Sequence, residues 1–170
     1  MKGRVYKFGD DINTDVIYPG KYLSITTDRE EMAKHCFETV YPAFLKDARP
    51  GDIIVAGRNF GCGSSREQAA TCLRYFGIAG VVAESFARIF YRNAINLGLP
   101  VLVAPGITRV VQHGDTIVID LEKGSVTHTR TGTTTESSRL PDFVLGILQD
   151  GGLIAHLRRS LSRGGEQGVE

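Results

Sequence analysis

The chain has 170 residues, 42% of them hydrophobic and 23% charged, and a formal net charge of +1 at pH 7. Those values describe one folded domain with a proper core, and they exclude a disordered or fibrous chain. Lys and Arg are dispersed, so there is no basic field for nucleic acid; no apolar run reaches membrane-spanning length, and the first residues lack the apolar segment of a secretory signal. The expectation is a cytoplasmic protein with neither a nucleic-acid nor a membrane partner.

Residues 4–8 read as an opening strand, followed by a polar loop over 9–20. Residues 28–36 read as a short helix capped by Thr27 or Asp28, and Tyr41-Pro42 interrupts the next turn. Three strand–helix steps come next: 53–56 into a helix over 65–76, 79–83 into a helix over 86–97, and 100–104 into a short segment. In the first of these helices Ala69, Cys72, Leu73 and Phe76 share one face, and Gly77 stops it. In the second, Phe86, Ile89, Phe90, Asn93, Ala94 and Leu97 share a face that ends at Gly98-Leu99-Pro100. Short apolar strands alternating with helices predict a partly parallel sheet covered by helices. Residues 116–120 and 125–129 then read as a hairpin around Glu122-Lys123-Gly124, and 129–135 as a strand or extended loop. Residues 142–148 and 153–159 read as two helices broken at Gly151-Gly152, leaving 160–170 as a disordered tail beyond a single domain of 1–159. From the residues alone the class is mixed α/β.

Cys36, Cys62 and Cys72 form no C-x-x-C pair, which argues against a disulfide framework and against a self-contained zinc or iron–sulfur site. Cys72 falls on an apolar helix face, and Cys62, in the glycine loop, is either a reactive thiol or a small residue that fits a tight turn. His35, His113, His128 and His156 show no metal-ligand spacing. A metal, where the chemistry uses one, comes from elsewhere.

The most informative stretch is GRNFGCGSSRE at 57–67, between a strand and a helix. The unpaired N–H groups of the helix start suit an anion there. Two readings of Ser64 stand side by side. In one it is the N-cap of a capping box with Glu67, worth about 1 kcal/mol of helix stability. In the other Ser64 or Ser65 is a reactive or ligand-binding hydroxyl, with Arg66 forking onto a carboxylate or phosphate. A cap has no use for the glycines at 57, 61 and 63, which allow positive φ and close approach of backbone to a ligand. The segment is neither a P-loop, since the G-x-x-x-x-G-K-[ST] spacing is absent, nor a nucleophile elbow, since no G-x-S-x-G occurs.

Three blocks, NTDVI at 13–17, GRNFGCGSSRE at 57–67 and SFARIFYRNAINLGLP at 85–100, together resemble the small subunit of the two-chain aconitase-type hydro-lyases, a group that includes isopropylmalate isomerase and homoaconitase. The resemblance spans roughly residues 3 to 158 and favours the functional reading of Ser64. It implies a swivelling domain of layered β/β/α build, a mixed sheet with covering helices, which closes over a larger partner. It also implies that the partner carries a four-iron, four-sulfur cluster on three cysteines, so that no cofactor is bound by this chain. The implied reaction is reversible dehydration of a hydroxy-dicarboxylic or tricarboxylic acid through a cis-alkene. By the resemblance Ser64 is the base in alkoxide form, stabilised by the helix start, the loop N–H groups and Arg66; Ser65 and Arg66 bind a substrate carboxylate; and Asp15 belongs to the active-site loop. Its bland alternative is an Asx-turn.

In the resembling proteins the two residues after Tyr-Leu read the variable arm of the substrate, with arginine for an extra carboxylate and apolar residues for a branched alkyl group. Here they are Ser24 and Ile25, which match neither pattern. No cation at Ser24 pairs a third carboxylate, and Ile25 suits a methyl or isopropyl group. Lys21 and Arg29 are the cations that could stand in. The resemblance thus implies the small subunit of an isopropylmalate dehydratase in leucine biosynthesis, in a heterodimer or heterotetramer with the cluster-bearing large subunit. The alternatives are a homoaconitase small subunit, the small subunit of a dehydratase for methyl-substituted malates and, outside the class, a non-catalytic ligand-binding module.

Overall fold

The computed structural model describes residues 1–165. Seven strands form one sheet: β1 (Lys2–Lys7), β2 (Ile53–Ala56), β3 (Gly80–Ala83), β4 (Val101–Val103), β5 (Thr116–Asp120), β6 (Ser125–His128) and β7 (Thr134–Glu136). Their order is β4-β3-β2-β1-β5-β6-β7. The β4-to-β1 half is parallel and the β5-to-β7 half antiparallel. Strand β1 joins the halves by splitting its length: Val5–Lys7 pair with Ile53–Val55, and Lys2–Arg4 pair with residues 116–118.

The pleat explains the layering. Along β2, Ile53 and Val55 enter one core with Val82, Leu102, Ile117, Ile119 and Val126, so the antiparallel half lies over one face of the parallel half. Ile54, Ala56, Val81, Ala83 and Val101 enter the other core, against helices α4 (Glu67–Phe76) and α5 (Arg88–Asn96). Both faces of the parallel strands are therefore covered, as their continuous apolar sequence demands, and the molecule has the β/β/α layers the resemblance implied. Each fully buried aliphatic side chain here contributes about 1.5–3 kcal/mol.

Short helices α1 (Thr14–Ile17), α2 (Arg29–Ala33) and α3 (Phe44–Asp47) lie in the long connection between β1 and β2. An aromatic cluster pins this connection to the sheet: Phe44 sits 4.9 Å from Tyr6, 4.7 Å from Phe37 and 5.2 Å from Phe76 between ring centroids, and Phe8 stacks on Phe37 at 4.4 Å. Helix α6 (Ile107–Val110) follows β4, and α7 (Asp142–Gln149) and α8 (Leu153–Gly165) close the chain beside α5.

Four expectations change. The loop over 9–20 contains α1, capped by Asn13, whose side chain accepts from the Val16 N–H at 2.8 Å. The helix expected over 28–36 has its α-helical turns only at 29–33, with Asp28 as its cap. Helix α4 starts at Glu67, two residues late. Helix α8 runs on to Gly165, so residues 160–165 are helical where a disordered tail was expected; residues 166–170, the rest of that tail, lie outside the described residues.

Asp150 fastens α8 to the end of α7. His156 Nδ1 lies 2.7 Å from one carboxylate oxygen and Arg159 reaches the other. These contacts, His156 first and Arg159 second, hold the Asp150 carboxyl below the usual carboxylate range. A depressed folded value means that the contribution is fully present above the unfolded value of about 3.9 and is lost as pH falls through the lower folded one. Thermal melts from pH 6 down to pH 3 (roughly spanning that carboxylate range) are expected to show a steeper loss of Tm in the native chain than in Asp150→Asn. Phe44→Ala, which empties the centre of the aromatic cluster, is expected to cost about 3–5 kcal/mol and to lower Tm by roughly 6–20 °C in the same assay.

Candidate active site

The parallel strands β1, β2 and β3 end at Lys7, Ala56 and Ala83 on one edge of the sheet, the edge where open α/β sheets bind ligands. Three loops leave that edge and are knitted into one surface. The Asp11 N–H donates to Arg58 O at 2.8 Å, Gly61 N–H to Ile12 O at 2.7 Å, Thr14 N–H to Cys62 O at 2.8 Å, and Phe60 N–H to Ser85 O at 3.0 Å. Side chains add to it: Asp10 accepts from Arg58 N–H at 2.7 Å and the Ser85 hydroxyl accepts from Asn59 N–H at 2.8 Å.

The glycines act here in two ways. Gly61 has φ 79° and lies on the ring of Phe90, where a Cβ would stand 2.2 Å from Cγ. Gly63 has φ 88°, and a Cβ there would make only ordinary contacts, with Asn13 Cβ at 3.5 Å and Thr14 Oγ1 at 3.7 Å, so its role is the left-handed turn itself. Gly57 takes no positive φ; its Cβ would instead strike the Asp10 carboxylate.

That turn sets the next three residues outside the helix. Arg66, extended at φ −117° and ψ 106°, is the N-cap of α4, and no side chain caps it. Glu67 is the first helical residue rather than the third, so the capping box does not form. The Ser64 hydroxyl is exposed and makes no hydrogen bond among the described residues, while the Ser64 carbonyl accepts from the Thr14 hydroxyl at 2.8 Å. The N–H groups of Gly63, Ser64, Ser65 and Arg66 also donate to nothing among the described residues. Four consecutive free N–H groups beginning at a left-handed residue form an anion-binding concavity, and the start of α4 adds its dipole.

Arg66 lies beside this concavity with its side chain 15% exposed. Its Nη1 bonds Asp15 Oδ1 and reaches Tyr18 O at 3.4 Å. Nε and Nη2 make no hydrogen bond among the described residues, which leaves one edge of the guanidinium for a bidentate carboxylate. Asp15 also accepts from Gly20 N–H at 3.0 Å. The Arg66 hydrogen bond, with a smaller contribution from Gly20 N–H, holds the Asp15 carboxyl below the usual range. Asp15 is therefore an anion that orients Arg66, neither an Asx-turn residue nor a proton donor at neutral pH.

A cleft of about 1020 Å³ opens beside Ser64 and Arg66 and extends along Phe86, Arg88 and Tyr91 at the start of α5. Of the residues singled out from sequence, the structure gathers Asp15, Ser64, Ser65 and Arg66. Ser24 and Ile25 do not line this cleft; both are exposed on the following loop, Ile25 at 68%. Lys21 points to Glu38 at 3.9 Å and to the ring of Tyr22 at 4.8 Å, and Arg29 bonds the Tyr75 hydroxyl at 2.7 Å, so neither cation faces Arg66. Arg88 and Arg92, which line the cleft, went without a role in the sequence reading; their placement at the first turns of α5, after a loop ending at the same sheet edge, was the available signal.

Cys36 and Cys72 are buried, and burial pushes the Cys36 thiol well up. Cys62 stands apart in the glycine loop, its thiol also raised by burial. Among the described residues no group of three or more His, Cys, Asp or Glu is arranged to hold a metal ion. No helix among the described residues is long and apolar enough to cross a membrane.

Comparison with known proteins places these features in context. The family model described as "Aconitase C-terminal domain" matches residues 8–105. The chain is 53% identical over 159 residues to the 3-isopropylmalate dehydratase small subunit 1 of Methanopyrus kandleri, covering 94% of this chain and 93% of that one. It is 47% identical over 170 residues to the methanogen homoaconitase small subunit of Methanothermobacter thermautotrophicus, covering 99% and 98%. A crystal structure of 3-isopropylmalate dehydratase from Methanocaldococcus jannaschii superposes with a TM-score of 0.91 at 46% identity, over 98% of each chain.

Because Ser64 caps nothing, Ser64→Ala is expected to shift chain stability by less than about 0.5 kcal/mol. Loss of a true N-cap costs about 1 kcal/mol. Denaturant titration of the isolated chain separates the two.

Proposed function

The chain belongs to the aconitase C-terminal domain family, and we propose that it is the small subunit of a 3-isopropylmalate dehydratase, interconverting 2- and 3-isopropylmalate in leucine biosynthesis in the cytoplasm. The observation that carries the reading is the free edge of Arg66 beside the unbonded Ser64 hydroxyl and four unused N–H groups. Arg66 grips a substrate carboxylate through Nε and Nη2, with the Ser65 hydroxyl beside it. That places the adjacent carbon near Ser64, which takes the proton there. An alkoxide at Ser64 is feasible because the N–H concavity, the α4 dipole and Arg66 all stabilise negative charge at that point; one such donor is typically worth about 3 kcal/mol. Asp15 keeps the guanidinium in place without consuming the edge that faces the substrate.

We place the four-iron, four-sulfur cluster on the large subunit, as the family resemblance implies; of the cysteines here, Cys36 and Cys72 are buried and Cys62 lies in the glycine loop. Bound there, it supplies the Lewis acid for the departing hydroxyl. Heterodimer or heterotetramer, the assembly needs both chains.

Homoaconitase is the second reading, favoured by the near-full-length similarity to the Methanothermobacter protein. Against it, no cation stands at Ser24, and Lys21 and Arg29 are engaged elsewhere. An additional substrate carboxylate at the Ser24 loop would be left unpaired there, which is costly; Arg88 and Arg92 line the cleft beside Arg66, away from that loop. Ser24 and Ile25 read the variable arm in this proposal, Ile25 offering the apolar contact.

The test is anaerobic reconstitution with the cluster-bearing subunit, with isopropylmalate, homocitrate and methyl-substituted malates offered side by side and alkene absorbance followed. Isopropylmalate is expected to be preferred; preference for homocitrate overturns the substrate assignment. Ser64→Ala is expected to cut turnover by about 10²- to 10⁴-fold with assembly intact. Full activity in that variant would leave only a binding module. Arg66→Lys, which cannot present a fork, is expected to raise KM by about ten- to a hundredfold.

A further inference from the structure

The loop carrying Ser24 and Ile25 is fastened through Tyr22. The 3-10 turn at Gly20–Tyr22 precedes those residues, and the Ile25 N–H donates to Tyr22 O at 3.1 Å. The ring of Tyr22 stacks on His35 with centroids 3.7 Å apart and planes at 16°. Its hydroxyl donates to Glu38 Oε1 at 2.9 Å, while Glu38 Oε2 takes His35 Nδ1 at 2.8 Å. One carboxylate therefore binds both members of the stack. At its other end the same turn presents the Gly20 N–H to Asp15, the residue that orients Arg66. Tyr22 is thus the fixed point of a segment that braces Arg66 at one end and carries Ser24 and Ile25 at the other.

We propose that Tyr22, clamped by Glu38 and His35, is a positioning residue for substrate selection: it sets where the loop at 23–25 meets the variable arm of the substrate. The proposal rests on the reading of Ser24 and Ile25 given above. The ring cannot slide without leaving His35, and it cannot rotate without losing Glu38. A stacked, charge-assisted contact of this kind restricts the loop before substrate arrives, so less order has to be imposed on binding. Lys21 shares the arrangement, its ammonium 3.9 Å from Glu38 Oε1 and lying over the Tyr22 ring, so the clamp also holds the nearest cation in the sequence away from an approaching carboxylate.

The reconstituted two-chain enzyme is assayed as native, Tyr22→Phe and Tyr22→Ala, with Tm and assembly recorded for each. Tyr22→Ala is expected to raise KM for isopropylmalate about ten- to a hundredfold with kcat within about threefold, and to narrow the preference for isopropylmalate over homocitrate. Tyr22→Phe, which keeps the stack, is expected to recover most of both. Tyr22→Ala that lowers Tm while KM and preference stay unchanged overturns the proposal, as does a fall in kcat alone. Should the native enzyme prefer homocitrate, the substrate reading fails by itself, and the clamp is judged by the same KM and preference changes on the preferred substrate.

Discussion

The contact between the Gly61 backbone and the ring of Phe90 is the constraint on which the site depends. Phe90 is fixed first, buried in α5 with Phe60 at 5.2 Å and stacked with Phe86 at 6.3 Å. The loop after β2 has to pass over that ring at a distance no side chain permits. From that contact the path is determined: the Gly61 N–H finds Ile12 O, the Cys62 carbonyl finds Thr14 N–H, and Gly63 turns the chain outward so that Ser64 faces solvent. A packing fact in the core thereby becomes the position of a hydroxyl at the surface.

Electrostatics completes what packing begins. A guanidinium at 15% exposure has lost most of its water, and an isolated charge there is costly. Asp15 and the Tyr18 carbonyl offset that cost by bonding a single nitrogen, Nη1. The division matters because pairing both edges of Arg66 would have stabilised the cation and left nothing for a ligand. An incoming carboxylate meets a positioned cation and a row of N–H groups, at a point where the chain has already met the desolvation cost. Ser64 inherits the same field.

How far all this was legible in the sequence depended on which forces were local. The strands at 53–56 and 116–120 were placed to the residue, because each is a short apolar run closed off by turn residues, Gly51 and Gly57 around the first and Gly114 and Gly124 around the second. The stop of α4 at Gly77 was equally plain. Its start was not: Ser64 and Glu67 have the spacing of a capping box, but a nearby left-handed turn at Gly63 and the Thr14 hydroxyl on the Ser64 carbonyl draw that serine out of line. Such bonds join residues 50 positions apart and leave no trace in a window of sequence. The same holds for Asp15, whose partner is Arg66, and for Tyr22, whose partners lie across α2. That Asp15, Ser64, Ser65 and Arg66 come together was readable; that Arg88 and Arg92 line the same cleft, and which group holds which, was not.

The arrangement also explains why such a chain works in two parts. Gly63 and Ser64 are exposed at the rim of an open cleft with exposed Ser65 next in the chain, and no element of the described chain covers them. In that setting water competes for every N–H group and a serine hydroxyl remains a weak base. In the proposed reaction its basicity, and the strength of the Arg66 fork, rise when a second surface excludes solvent and lowers the local dielectric. Rigidity is placed accordingly: the loops at the sheet edge are bonded to one another along their backbones, and the segment at 23–25 is tied back to the 3-10 turn, Leu23 N–H to Gly20 O and Ile25 N–H to Tyr22 O, each at 3.1 Å. On the proposed reading the chemistry sits on the knitted loops and selection on a separate turn held by Tyr22, so a change of substrate arm need not move Ser64 or Arg66.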